Sequence, residues 1–323
     1  MPIPYTKPHL RIPDQLLLLE SRGMTITNRV KAADHLRRIG YYRLSGYWYP
    51  CRNTEFYTNA HGKPSIRAVD NFRAGTTFAH AVDLCIFDKK LRLMFMDAFE
   101  RIEVSLRVEA ALLVSAQDPL AHRNAALLDS KFTAVDPATG ASSHSVWLQR
   151  LDTLTKSSRE EFVGSFHSKY STPLPIWIAI ELWDFGTLSH FLGGMKPKDG
   201  NALAKRYALP HGKLLVSFVR NLNIARNVCA HHGRFWNKVN AGRPMLPKVG
   251  EVPVLDHILD PAMPLGRLYV TAAITQHFMK VICPHSQWAT RLKTLLDAFP
   301  KGPGIEFRHT GFPANWKTLP LWQ

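Results

Sequence analysis

The sequence predicts an all-α protein, a helical bundle carrying a small helical N-terminal extension. Three observations carry this reading. Residues 78–115 hold neither glycine nor proline, and apolar side chains recur at Leu84, Phe87, Leu91, Met94, Ala98, Ile102 and Leu106. That three-and-four spacing lines one face of a helix. Residues 13–40 carry helix starts and stops, and a further amphipathic run begins near His211, presenting Leu214, Leu215, Phe218 and Leu222 to a core.

Taken in order, Pro13-Asp14 opens a short apolar helix ending at Gly23. Thr27 is the expected N-cap of a second helix that runs to Gly40, where glycine accepts the left-handed stop. Residues 41–49 are densely aromatic, with Arg37, Arg38, Arg43 and Arg52 around them. Such rings either stack unpaired bases or pack the N-terminal unit onto the main body. On the other side of the 78–115 helix lie Arg92, Glu103 and Arg107. Glu103 and Arg107, four apart, read first as a pair on a solvated face, the alternative being that they turn inward and orient polar groups of another helix.

Residues 117–145 read as a loop or insertion, from Asp118-Pro119, Asp136-Pro137 and Gly140. A helix is expected over 146–166, then a buried helix over 176–183 carrying one carboxylate, Glu181. The helix starting near His211 delivers Arg226 at or past its end, and two more are expected over 265–282 and 287–299. These divide the chain into an N-terminal aromatic and basic region (1–75), a helical domain (76–300) and a tail (301–323).

The 323 residues carry a formal net charge of +16, with 46% hydrophobic and 20% charged residues. Such a chain buries a core without disulfide or metal staples. The excess charge is local: residues 196–250 contain 11 Lys and Arg against one acid, Asp199. A polyanion meets little repulsion there. Cys51, Cys85, Cys229 and Cys283 form no CxxC pair, and the start lacks a basic-then-apolar signal. Cytoplasmic residence without export or membrane insertion is the expectation.

The basic region contains Arg226-Asn227-Val228-Cys229-Ala230-His231-His232-Gly233-Arg234-Phe235-Trp236-Asn237. An arginine followed by a histidine also occurs at Arg29/His35, Arg73/His80 and Arg206/His211, so spacing alone selects nothing. Arg226 stands apart through Asn227, the second histidine, the preceding amphipathic helix and the basic surroundings. In an unbroken helix Arg226 and His231 lie about 140° apart, whereas Asn227 and His231 are about 40° apart. Convergence then requires a helix break between them, an arginine that curls around, or two copies meeting across a twofold axis, which predicts a homodimer.

Arginine and histidine are the groups needed when a ribose 2′-OH attacks its own phosphate. His231 suits either proton transfer, Arg226 holds the phosphoryl charge, and Asn227 orients the histidine or donates to the phosphate. His232, Arg220, Arg234 and Lys238 are candidate RNA-binding residues, with Glu103 and Arg107 in support. No metal or other cofactor is required. The products are a 2′,3′-cyclic phosphate and a 5′-hydroxyl, and DNA is refractory. Two alternatives remain at this stage: an RNA-binding protein that grips but does not cut, and a zinc site built from Cys229, His231, His232, Cys283 and His285.

At these residues the sequence resembles the Abi-like family of abortive-infection proteins (the AbiD/AbiF type) within the HEPN ribonuclease superfamily. The resemblance rests on Lys7-Pro8 and the 15–23 helix, the blocks 39–47, 87–92 and 100–107, Pro175-Ile176-Trp177, Glu181, 185–189, the 226–237 motif, and 311–316. It implies a HEPN-like helical bundle, composite active sites in a dimer, metal-independent RNA cleavage, and a phage-defence or toxin role under a structured-RNA or protein antitoxin. Arg226 and His231 take the family's motif positions, with Asn227 as its polar follower; His232 also satisfies the spacing.

Overall fold

A computed structural model of the protein describes residues 4, 6, 8–239 and 242–323. Lys7, part of the family-like N-terminal motif, lies outside them. The fold is all-α, and strands occur among the described residues as two small antiparallel pairs. The chain divides into two compact units, Met1–Arg92 with Leu292–Thr310 and Leu93–Arg291 with Gly311–Gln323.

In the first unit α1 (Ile12–Ser21) has proline in its first turn, where the missing N–H is no loss, and buries Leu16 and Leu19. The second helix, α2 (Arg29–Ile39), is capped by Asn28 rather than Thr27. The Asn28 side chain accepts from the Lys31 N–H, and Gly40 at φ 91° ends the helix where a Cβ would be strained. Helix α3 (Tyr41–Trp48) divides the aromatic segment. Tyr47 and Trp48 are buried whereas Tyr42 and Tyr49 are exposed.

A hairpin of β1 (Arg52–Thr58) and β2 (Pro64–Phe72) follows, pairing Phe56 with Ile66. It corrects the expectation of a purely helical N-terminal region. The signal was a β-prone Thr54-Glu55-Phe56-Tyr57-Thr58 run ahead of a turn containing Gly62.

Helix α4 (Phe78–Ser115) matches the sequence expectation at both ends and contributes residues to both units. Its second side is not a solvated face, since Arg92 and Glu103 are 6% and 7% exposed. In the second unit the 117–145 stretch contains α5 (Ser130–Thr133) and the pair β3 (Val135–Asp136) and β4 (Ala141–Ser142). The helix expected over 146–166 is two, α6 (Ser143–Ser157) and α7 (Glu161–His167). A reciprocal Ser142/Ser145 capping box starts α6 early, and extended backbone at Ser158 and Glu160 breaks the run. Helix α8 (Ile176–Ala179) is one turn followed by a 3₁₀ turn, and Glu181 is exposed rather than buried.

Helices α9 (Phe185–Gly194), α10 (Pro197–Arg206), α11 (Gly212–Ala230) and α12 (Leu268–Ile282) complete this unit, and α13 (Trp288–Asp297) contributes to both. Helix α11 packs against α9, α10 and α12. Its start lies so close to α10 that a Cβ on Gly212 would sit 2.7 Å from the Gly200 carbonyl carbon. No helix among the described residues is long and apolar enough to cross a membrane.

Candidate functional site

Helix α11 is capped at its start by His211, whose side chain accepts from the Leu214 N–H, and it buries Leu214, Leu215, Phe218 and Leu222 as the spacing required. It continues unbroken through Arg226 to Ala230. A helix break between Arg226 and His231 is therefore not how these residues are arranged, and Arg226 sits inside the helix rather than at or past its end. With no glycine or proline between Lys213 and His232, nothing in this stretch stops the helix earlier.

The stop itself is made by the histidines. His231 is the C-cap, its N–H on the Asn227 carbonyl. His232 follows at φ 57°, its N–H reaches Cys229 O, and Gly233 N–H reaches Val228 O at 2.7 Å. These two bonds and the left-handed residue form a Schellman turn, with histidine in the place glycine usually fills. Gly233 is needed one position later, where a Cβ would meet Val228 Cγ1 at 3.1 Å. Both histidines are thereby held at the surface.

Arg226 is directed toward α4. Its Nη1 donates to Asn227 Oδ1 at 3.1 Å and its Nη2 faces Glu103 Oε2 at 3.5 Å. The Glu103 side chain is 9% exposed and takes Arg107 on its other oxygen at 2.6 Å, and Arg107 also donates to the Trp183 carbonyl. Asn227 thus acts on the arginine. A guanidinium has five donor hydrogens, and these two bonds leave others for an anion at the 25% of Arg226 that stays exposed.

Burial raises the Glu103 carboxyl above its ordinary range, against the pull of Arg107 and Arg226. Asp184 completes the field from the start of α9. Burial pushes its pKa up, but hydrogen bonds from Thr187 and the Arg150 and Arg226 charges outweigh this and hold it below the usual carboxylate range. Its Oδ1 caps Thr187 N–H at 2.6 Å while Oδ2 takes Arg150 at 2.6 Å. Sequence reading missed Asp184 and placed the carboxylate of this region at Glu181. The available signal was Asp184 three residues before Thr187, a capping spacing at the head of an apolar run.

The remaining expected site residues are less gathered. Arg220, exposed on α11, lies six positions before Arg226, about 120° around the axis. Lys238 lines a small apolar cavity of about 150 Å³ with Ile224, Val228 and Arg267. Val228 is two positions from Arg226, roughly 200° around the helix, so Lys238 serves another face. Arg234 is half-buried just after the Schellman turn. For the zinc alternative, Cys229 is buried while His231 and His232 are exposed, and no group of three or more potential metal ligands gathers among the described residues.

Searches of curated proteins and of solved structures returned no match. The family model described as Abi-like protein matches residues 34–237. That span contains Glu103, Arg107, Asp184, Arg226, Asn227 and both histidines, and leaves out the 15–23 helix and the 311–316 motif. With more than half of its length inside the match, the chain belongs to the Abi-like family.

Proposed function

We propose that the protein is a metal-independent endoribonuclease of the HEPN type, acting in the cytoplasm in abortive-infection defence or as a toxin. The observation that carries this reading is the setting of Arg226. A buried carboxylate, Glu103, and a neighbouring amide orient its guanidinium, while part of it faces solvent and the helix ends one turn later on two exposed histidines. An arginine fixed before substrate arrives stabilises developing phosphoryl charge without reorganising.

In this reading the phosphate is held by Arg226, and His231 takes the 2′-OH proton or protonates the 5′-oxygen leaving group. Asn227 and Glu103 position the arginine, and Arg107 pairs with the other oxygen of Glu103. Since α11 is continuous, the arginine and imidazole of one subunit face directions about 140° apart. A homodimer that sets two such helix ends together supplies both groups to one phosphate. RNA is the substrate, and a structured RNA or protein antitoxin restrains the activity.

End-group analysis of RNA incubated with purified protein in chelator tests this. Products bearing 2′,3′-cyclic phosphate and 5′-hydroxyl ends, and no cut where a 2′-deoxynucleotide replaces the attacking ribose, are expected. Intact RNA held in a stable complex would instead identify a binder that does not cleave.

A further inference from the structure

The second unit contains a second cleft of about 280 Å³ along α6, lined by none of Glu103, Arg107, Asp184, Arg226 or Asn227. Its inner wall is His122, Leu151, Leu174 and Ala179, all at most 4% exposed. Its rim is exposed and polar, with Lys156, Ser171 and Thr172. Between them Arg123 makes a two-pronged pair with Asp152, at 2.8 and 3.2 Å, which cancels one positive charge and leaves Lys156 in surplus.

His122 is the unexplained group. It is fully buried, and both ring nitrogens lack a hydrogen-bond partner among the described residues. Two tryptophans flank the ring, Trp147 at 6.5 Å and Trp183 at 6.1 Å. Burial first, then the charges of Arg123 and His144, drives its pKa down to about 3, so the imidazole is neutral and offers one donor and one acceptor. An unsatisfied buried polar group is costly and calls for a specific partner.

The cleft therefore grades from a single donor–acceptor group at its base, through apolar walls, to a cation and hydroxyls at its mouth. A nucleotide matches the gradient, with apolar base faces, a polar base edge and a phosphate at the far end. The volume falls just below the usual span for ligand sites, roughly 300–1,000 Å³, which limits the occupant to one nucleotide unit. We infer that this cleft binds a single nucleotide, base inward toward His122 and phosphate at Lys156, either free or as the end of an RNA strand. The inference is independent of whether the protein cleaves RNA.

Calorimetric titration of the full-length protein with each of the four nucleoside 5′-monophosphates, with inorganic phosphate, and with a short RNA bearing a 5′-phosphate tests it. At least one monophosphate or the RNA end should bind saturably and more tightly than inorganic phosphate. Preference for the free nucleotide or for the strand end identifies the source. Lys156→Ala, at the exposed rim, should weaken binding about fivefold, and His122→Phe about tenfold, the equivalent of one lost hydrogen bond. Arg226→Ala should leave the affinity for the monophosphate within about twofold, since Arg226 lines no part of the cleft. Absence of saturable binding, binding abolished by Arg226→Ala but indifferent to Lys156→Ala, or a ligand-soaked crystal holding only an ordered water against His122 would overturn the inference.

Discussion

Helix α4 carries two acid–arginine pairs four residues apart in sequence, Asp88/Arg92 and Glu103/Arg107, and they have opposite characters. In the first, Asp88 is wholly buried, Arg92 donates to it at 2.6 Å, and the Tyr47 hydroxyl adds a bond at 2.8 Å. Burial, with Asp88 beside it, raises the Tyr47 pKa well above the ordinary phenol range, so the hydroxyl stays protonated and keeps donating. In the second, Glu103 also takes a second arginine, Arg226, whose guanidinium reaches the surface. The first cluster is closed. The second holds an arginine in place and leaves part of it available, which is what anion chemistry needs.

That contrast can be broken by removing the acid from each cluster. Asp88→Ala should have the larger effect on stability, about 3–5 kcal/mol, because it removes the counter-charge of a buried guanidinium. Denaturant unfolding measures it, and RNA cleavage per folded molecule should be unchanged. Glu103→Gln keeps the shape but removes the charge shared by two arginines. A loss of about 1.5–3 kcal/mol is expected, the range for hydrogen bonds to charged groups, together with reduced cleavage as Arg226 loses its anchor. Equal effects of the two variants on cleavage would erase the distinction drawn between the clusters.

Asp184→Ala should cost about 1 kcal/mol through its lost cap on Thr187. Because the Asp184 carboxyl is held below its ordinary range, its contribution is present above that range and disappears as pH falls through its folded value. The stability difference between wild type and variant, followed by denaturation in acid, should therefore shrink toward low pH. A difference that grows in acid would show the sign to be wrong. The smallest effect belongs to His232→Gly, which relieves a left-handed non-glycine residue and should stabilise by up to about 1 kcal/mol. If His231 is the proton-transfer group, cleavage by this variant should match wild type.

The parts of the molecule governed by local chemistry were readable in advance. Helix α4 follows from an uninterrupted apolar repeat, and α11 from His211 and its buried face. What escaped depends on contacts far apart in the chain. Glu103 looks like half of a surface pair until α11 brings Arg226 over it from 123 residues away. Asp184 gains its meaning only when Arg150 and Arg226 converge on it. The β1–β2 hairpin was missed for a different reason: its outward side chains include Phe56 and Ile66, which are exposed, so the strands lack the apolar-in, polar-out alternation that marks a half-buried sheet.

In the proposed function Arg226 is the arginine of a phosphate-cleaving site, and Arg92 is a structural one. The most direct measurement is the initial rate of RNA cleavage in chelator, normalised to folded protein, for wild type, Arg226→Ala and Arg92→Ala. Loss of about 10²–10³-fold in Arg226→Ala, the scale for removing a preorganised charge stabiliser, with the Arg92→Ala rate intact, is the expected result. Cleavage by Arg226→Ala at the wild-type rate would rule out Arg226 as the phosphate-holding arginine.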